Sequence, residues 1–588
     1  VKKPYKVVHS VEDLGQIANE IDQADAIGLD LETTALSPVD GEIRICSVNT
    51  RKGIYVIDLF STKTLGPVGT ALNDSNTIKI LQGASFDQKW LLRKYGIELW
   101  PVFDTHRASE LLHNGKRLPQ DLYALYRREL DIGPEVDDKG GSDWSNPNLT
   151  PEQYDYAAED VFWLHDLRDK LKAKLGRAGL FKVALIEFGA VLPEASVELN
   201  GFFLDREMWL ALAEDNKKEA DRLERELVFE LPDPSNQVSL PGFAPKFNLG
   251  SPQQMLASIR KIPGIKKDLK DTKQQTLAMH AARFPLLNKV LKYRTVSKNF
   301  TSFGPKYVEH IHAKTGRVHA HYWPFLTTGR YACSKPNLAQ IPRDARFRAC
   351  FRAAPGKVLV AADYGQVEVR LACEISGDRR LHQVFADKID IHTYTAAIAM
   401  GIPVEKVTKA QRQAAKAINF GLIYGMQPPK LVIYAQSSYG VAMSLRDAKR
   451  FHERYFEAYS GVASWHERVL TRGKQEKISR SMGGRLRWLH DEKAHNEFMN
   501  TPVQATGADG LKAALREVYF KLKPYGERVK MVHHVHDEII LEVDDDLDLI
   551  QQAKLDLCAG MRAGMGQFLK TVPVEVDAAH GSSWAACK

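Results

Sequence analysis

Acids set into β-rich apolar runs constrain this chain more than any other feature, because each one must be held by a sheet and still meet something polar. In GLDLETT, Asp30 and Glu32 lie two apart behind the apolar AIGL. A strand alternates its side chains between two faces, so both carboxylates project from the same one. Far downstream VLVAAD ends in Asp363, and VHHVHDEIILEV carries Asp537 and Glu538. Two more acids stand in similar settings: Asp87 in QGASFD, at the end of a β-like run, and Asp160 in YAAEDV, on a helix that carries Tyr156 four residues earlier. Acids that converge repel one another unless cations are bound among them. Two divalent ions held a few Å apart activate a water and stabilise a leaving alkoxide, and the chemistry expected of the first acid set is phosphodiester hydrolysis.

Between the distant acids runs RQAAKAINFGLIYG, with Arg412, Lys416, Phe420 and Tyr424 at every fourth position. Four residues turn a helix by roughly 400°, so these side chains share one slowly turning stripe. Cations first and rings later would suit a ligand with phosphates at one end and a flat base at the other. Gly421 and Gly425 each weaken a helix by about 1 kcal/mol relative to Ala, which implies that another body approaches the backbone there. Carboxylates for metals and Arg and Lys for a triphosphate together suggest a second phosphoryl-transfer site. His533, His534 and His536 lack a fourth ligand at zinc-like spacing, and hard divalent ions prefer the adjacent carboxylates.

The chain of 588 residues, 44% hydrophobic and 26% charged, is long enough for several domains. Its net charge of +8 permits a polyanionic partner without demanding one. Arg343, Arg346, Arg348, Arg352 and Lys357 crowd one stretch that reads as a phosphate-facing strip. The six cysteines form no CxxC pair, so reduced thiols in an intracellular, soluble protein are expected. No apolar run reaches the roughly 18 residues of a membrane span. Residues 1 to about 180 alternate β-rich runs with helical stretches, an α/β pattern around a mixed sheet. From about 195 to 325 come long charged helices such as LAEDNKKEADRLERELVFE, with loops at LPDPSNQVSLPGFAPK, and the remainder mixes strands with long helices.

Asp30, Glu32, Asp87, Tyr156 and Asp160 resemble, in order and setting, the motifs of the DEDD 3'-5' exonucleases that place a Tyr before the last Asp. The later stretches resemble the signature motifs of family A DNA polymerases: TTGRYACSKPNLAQIP, ADYGQVEVR, QRQAAKAINFGLIYG, NTPVQATGAD and HVHDE, with NGFFLD, FNLGSPQQM, LKYR and TGRVH in the region before them. The resemblance implies a multidomain α/β protein: an N-terminal RNase H-like exonuclease domain (1–185), thumb and connecting helices (186–325), a first part of the palm (326–375), fingers (376–490) and a second part of the palm (491–588). It implies template-directed addition of dNTPs to a primer 3'-hydroxyl, with 3'-5' proofreading and no 5' nuclease domain.

Carried over residue by residue, Asp30, Glu32, Asp87 and Asp160 would hold two metals, with Tyr156 orienting a water. Asp363 and Asp537 would hold two Mg²⁺, with Mn²⁺ as a substitute, and Glu538 and His536 would support the metal site and primer end. Arg412, Lys416, Phe420, Tyr424, Glu368, Gln366 and Tyr364 would contact the nucleotide, with Glu368 crowding a ribose 2'-hydroxyl. Arg330, Asn337, Gln504, Asn500 and Arg370 would contact DNA. Primer-template DNA and dNTPs are the implied partners of a monomer in bacterial cytoplasm, a phage-infected cell or an organelle. Gly83, Gly365, His534, Ala339, Gln340 and Asn496 depart from the usual residues, several of them at minor-groove positions. Three other readings fit the residues less well. The intact Asp363, Asp537, Arg412 and Lys416 oppose a nuclease with a merely DNA-binding second half, Glu368 and Phe420 oppose a single-subunit RNA polymerase, and two complete acid sets oppose a nonenzymatic scaffold.

Overall fold

The computed structural model describes residues 4–133, 141–234, 247–265, 269–281, 283–489 and 495–588. The N-terminal region is built on a six-stranded mixed sheet whose spatial order is Lys6–Val8, Ile54–Asp58, Ile43–Asn49, Ala26–Thr33, Ile78–Leu81, Val102–Asp104. Ala26–Thr33 is antiparallel to Ile43–Asn49 on one side and parallel to Ile78–Leu81 on the other. Burial on both sheet faces explains why these strands read as apolar runs. The helix Ser85–Tyr95 begins only four residues after Ile78–Leu81 ends, so Asp87 lies in a first helical turn rather than on a strand.

The long charged stretch is the helix Arg206–Glu230, which packs against Pro285–Phe303 over a small core of its own, with Leu227, Leu287 and Val290 fully buried. Lys289 and Lys292 pair with acids of Arg206–Glu230 along the seam. The loop expected at 231–246 lies, from 235 onward, outside the described residues.

The second sheet has four antiparallel strands in the order Val529–Val535, Glu538–Asp544, Lys357–Tyr364, Val576–Gly581. The long run read through HVHDE is therefore two strands, and His536 and Asp537 form the hairpin turn between them. His536 takes a left-handed φ of 57°, a conformation in which His is enriched among non-glycine residues. The turn lifts Asp537 out of the ladder while its carbonyl accepts from Tyr364 N at 3.2 Å. The 28-residue helix His495–Leu522 and the helix Leu547–Met565 pack together and against this sheet.

The N-terminal region meets the rest through buried charge. Glu187, on the helix Phe181–Gly189 that crosses the expected 185/186 boundary, accepts from Lys512 Nζ at 2.6 Å and from Arg485, and its Oε2 lies 3.4 Å from Arg107. Arg107 also reaches Glu194 at 2.9 Å, and Arg485 reaches Asp509 at 2.7 Å. A second seam lies nearby. Asn114 donates to the carbonyls of Thr327 (3.0 Å) and Leu486 (2.8 Å), and Trp488 N donates to Asn114 O at 2.9 Å. Gly115 follows with φ +95°, and a Cβ there would stand 2.5 Å from Trp488 O.

Glu187 is the shared partner of three buried cations, so Glu187→Ala leaves charge uncompensated in the interior. We expect a loss of about 3–5 kcal/mol, read as a lower urea midpoint by tryptophan fluorescence.

Candidate active sites

In the N-terminal region the acids come from two kinds of element. Asp30 and Glu32 share one face of the central strand, as their spacing requires. Asp160 and Tyr156 arrive on the helix Pro151–Phe162, whose start is set by a capping box of Thr150 and Gln153 and by Pro151. Asn49 of the neighbouring strand donates to Val161 O at 2.8 Å and pins the helix end to the sheet. Ligand oxygens of Asp30, Glu32 and Asp160 consequently lie within 4.8 Å of one another.

Asp87 is outside that set of three yet acts on it. Burial, then Asp160, Glu32 and Asp87, push the Asp30 carboxyl well above the carboxylate range. Asp87 itself is pushed up to about 8 by burial and by Asp104. Such crowding fits a site that gains stability when divalent cations arrive. Burial, Asp160 and Glu32 also push the Tyr156 phenol upward, so it stays a hydrogen-bond donor at neutral pH. Tyr123, which the sequence reading missed, donates to Asp160 Oδ1 at 3.1 Å.

In the second sheet Asp363 is directly opposite Glu538 across the ladder, and Asp537 follows in the adjoining turn. Burial, then Asp363 and Glu368, push Asp537 up to about 6. A stand-in cation is already present: Lys588 Nζ lies 2.9 Å from Glu538 Oε1 and 3.1 Å from Asp363 Oδ2. Trp584 Nε1 also donates to Glu538 Oε1, at 3.1 Å. Neither Lys588 nor Trp584 was singled out in the sequence, which gave no spacing to link either to the acids.

The cation-and-ring stripe lies on the helix Lys409–Ile423, capped by Thr408 and Gln411. Arg412, Lys416 and Phe420 are half-buried while Ala414, Ala415, Ile418 and Leu422 on the other side are buried. Tyr424 falls just past the helix end, and Gly425 reverses the chain with φ +68°. The close neighbours of Gly421 and Gly425 are Leu431 and Met499, so these glycines admit the chain itself.

Arg412 forms a two-pronged pair with Asp390 at 2.9 and 2.8 Å. Burial would raise Asp390, but hydrogen bonds from Arg412 and Thr393 outweigh it and hold this carboxylate low. Asp390 and His392, in DIHTYTAA, were also missed; an acid two residues before a His was the available signal. His392 Nδ1 is 3.0 Å from Asn419 Nδ2 on the stripe's helix.

Glu368 joins the stripe to the acids. It accepts from Arg330 and from the Tyr424 hydroxyl, and its charge raises Asp537. Gln504 hydrogen-bonds Tyr424, and the buried amide oxygens of Asn337 and Asn500 make no hydrogen bond among the described residues. Gln366 starts the next helix in a left-handed conformation, 3.5 Å from Asp390. Two residues expected at the ligands are turned to structural work. Tyr364 is 4% exposed with its hydroxyl on Met561 O at 2.7 Å. Arg370, also 4% exposed, spends its donors on Gly365 O, Pro573 O and Glu575.

Comparison with known proteins agrees with this division. A family profile described as DNA polymerase family A matches residues 218–586, and one described as 3'-5' exonuclease matches residues 5–176. The chain is 29% identical to DNA polymerase I of Aquifex aeolicus, over 99% of each chain. It is 30% identical to DNA polymerase I of Pseudomonas aeruginosa, over 96% of this chain and 64% of that one. The thermostable DNA polymerase I of Thermus aquaticus is 32% identical over 85% of this chain and 57% of its own length. Among solved structures, one titled "POL domain of Pol1 from M. smegmatis complex with DNA primer-template and dNTP" superposes with a TM-score of 0.81 at 23% identity, over 98% of both chains.

The raised Asp537 generates a pH dependence. With Asp537 as an expected metal ligand, a cation arriving below about pH 6 would have to displace its proton. In an Asp30→Ala background, Mn²⁺ affinity measured by electron paramagnetic resonance should be flat above about pH 7 and fall up to about tenfold per unit below pH 6.

Proposed function

Since the chain belongs to DNA polymerase family A and carries a 3'-5' exonuclease domain ahead of its polymerase domain, we propose how its residues divide between two phosphoryl-transfer sites. Domains of these families use divalent metal ions, and the cluster of Asp30, Glu32 and Asp160 fits them; our reading is two Mg²⁺ per site, with Mn²⁺ able to substitute. The observation that carries the polymerase assignment is Glu368, which touches Tyr424 and Arg330 and acts electrostatically on Asp537. Glu368 thus links the end of the stripe to the acids.

There Asp363 and Asp537 would hold the metals, which when bound would lower the pKa of the primer 3'-hydroxyl and stabilise the leaving pyrophosphate. Arg412 already presents its planar fork to a carboxylate, and a phosphate offers the same two-oxygen geometry. Lys416 adds a point charge one turn on, and Phe420 packs on the sugar and base. Tyr424 lies beside the templating base. Glu368, fixed by two donors, occupies the space a ribose 2'-hydroxyl would need, so dNTPs are selected. Gln366 and the backbone of Tyr364 border the nucleotide.

Arg330, Asn337, Gln504 and Asn500 hold the primer-template. Arg370 braces the turn at Gly365 from behind. His536 and Glu538 steady the primer end. In the exonuclease domain Asp30, Glu32, Asp87 and Asp160 hold metals, and the protonated Tyr156 donates to the attacking water. We assign 1–185 to the exonuclease, 186–325 to the thumb, 326–375 and 491–588 to the palm and 376–490 to the fingers, in a monomer acting on primer-template DNA with dNTPs.

Primer extension and degradation of a mispaired 3' end test this division. Asp537→Ala should reduce dNTP incorporation below about one hundredth of wild type and spare degradation, and Asp30→Ala should do the reverse. Loss of both activities in either variant contradicts the two-site assignment. Lys416→Ala should lower dNTP use by about tenfold or more with exonuclease activity near normal.

A further inference from the structure

The segment that closes the second sheet is built around Trp584. Its ring is 1% exposed, its backbone N donates to Phe351 O at 2.9 Å, and the Arg348 guanidinium lies 4.2 Å above it. From this anchor the turn Ala585–Cys587 carries the chain along the sheet, with the Cys587 thiol against Leu359 O at 3.5 Å. The next residue is Lys588, whose ammonium bridges Asp363 and Glu538.

The two ion pairs differ in setting. Asp363 and Lys588 are 41% and 38% exposed at their side chains, whereas Glu538 is 5% exposed and is also held by the Trp584 indole. An exposed pair is cheap to break, and a buried carboxylate left without its partner is not. A divalent ion on Asp363 would also repel an ammonium sharing the same oxygen.

We propose that Lys588 is a resident counter-ion of the polymerase acid cluster, which yields Asp363 to an incoming divalent cation while keeping its hold on Glu538. This rests on the reading of Asp363 and Asp537 as metal ligands. Before metal binds, the ammonium offsets repulsion among carboxylates that would otherwise face one another. When metal binds, it opposes entry, so Lys588 sets the concentration of free divalent ion at which the site fills. It is a positioning residue, distinct from the ligands.

The test uses the full chain without DNA or nucleotide, with Asp30→Ala and Asp160→Ala removing the exonuclease metal site, and counts bound Mn²⁺ by electron paramagnetic resonance. Adding Asp537→Ala should abolish the remaining binding; if it does not, the ligand reading itself fails. With that control met, Lys588→Met should tighten Mn²⁺ binding by about three- to tenfold, and Lys588→Arg, which keeps the charge, should stay within about twofold of the parent. Lys588→Met should also melt at a lower temperature than the parent in chelator, with the gap narrowing as Mn²⁺ is added and a remainder left by the unpartnered Glu538. Unchanged or weaker Mn²⁺ binding in Lys588→Met overturns the proposal, as does a melting temperature in chelator equal to the parent's.

Discussion

Glu187 is the point on which the assembly of this molecule turns. A single fully buried carboxylate faces Arg107 from the exonuclease side and Arg485 and Lys512 from the polymerase side. Burial would raise its pKa, but the three cations outweigh that and hold it at about 2. Burial pushes Lys512 in the other direction, to about 8. Charges removed from water in this way contribute little net stability, but they tolerate only one arrangement of their neighbours. Lys512 also holds Pro324 O at 2.9 Å, and Arg485 packs so tightly on Gly329 that a Cβ there would lie 2.7 Å from its Nε. The segment leading to Arg330 is thus shaped by the same charges that dock the two domains.

Much of the chemistry was legible because it depends on local periodicity. Asp30 and Glu32 had to share a face once their run was a strand, and the stripe from Arg412 to Phe420 had to share a face once its run was a helix. What stayed hidden depends on chain reversal and on contacts distant in sequence. A strand pattern runs unbroken through His536 and Asp537 because both flanks are apolar, and only the left-handed φ of His536 shows the hairpin. Asp87 read as a strand end because the run IKIL continues into small residues, although the helix begins at Ser85. Lys588 lies 225 residues from Asp363, and no local rule could pair them. Gly421 and Gly425 were seen as marks of close approach, and the approaching bodies are Leu431 and Met499.

The two acid sites solve the same electrostatic problem differently. In the exonuclease domain repulsion and burial raise Asp30 and Asp87, and a tyrosine hydroxyl meets Asp160. In the second sheet an ammonium touches two of the acids, and burial with the charges of Asp363 and Glu368 raises Asp537. Arg412 shows a third arrangement, a cation held in a fixed orientation by a carboxylate of its own.

The seam at Asn114 couples the two halves at the level of inheritance. Gly115 has no room for even one methyl group beside Trp488, and its neighbour fixes the carbonyl of Thr327. A codon change at 115 would lie within the nuclease by position, yet its first physical effect would fall on the strand Leu486–Trp488 and on the loop at Thr327, both in the polymerase half. Genetic maps that assign lesions to activities by domain would misplace this one. The surface between the halves is a region where variation in one gene segment is constrained by the function of another.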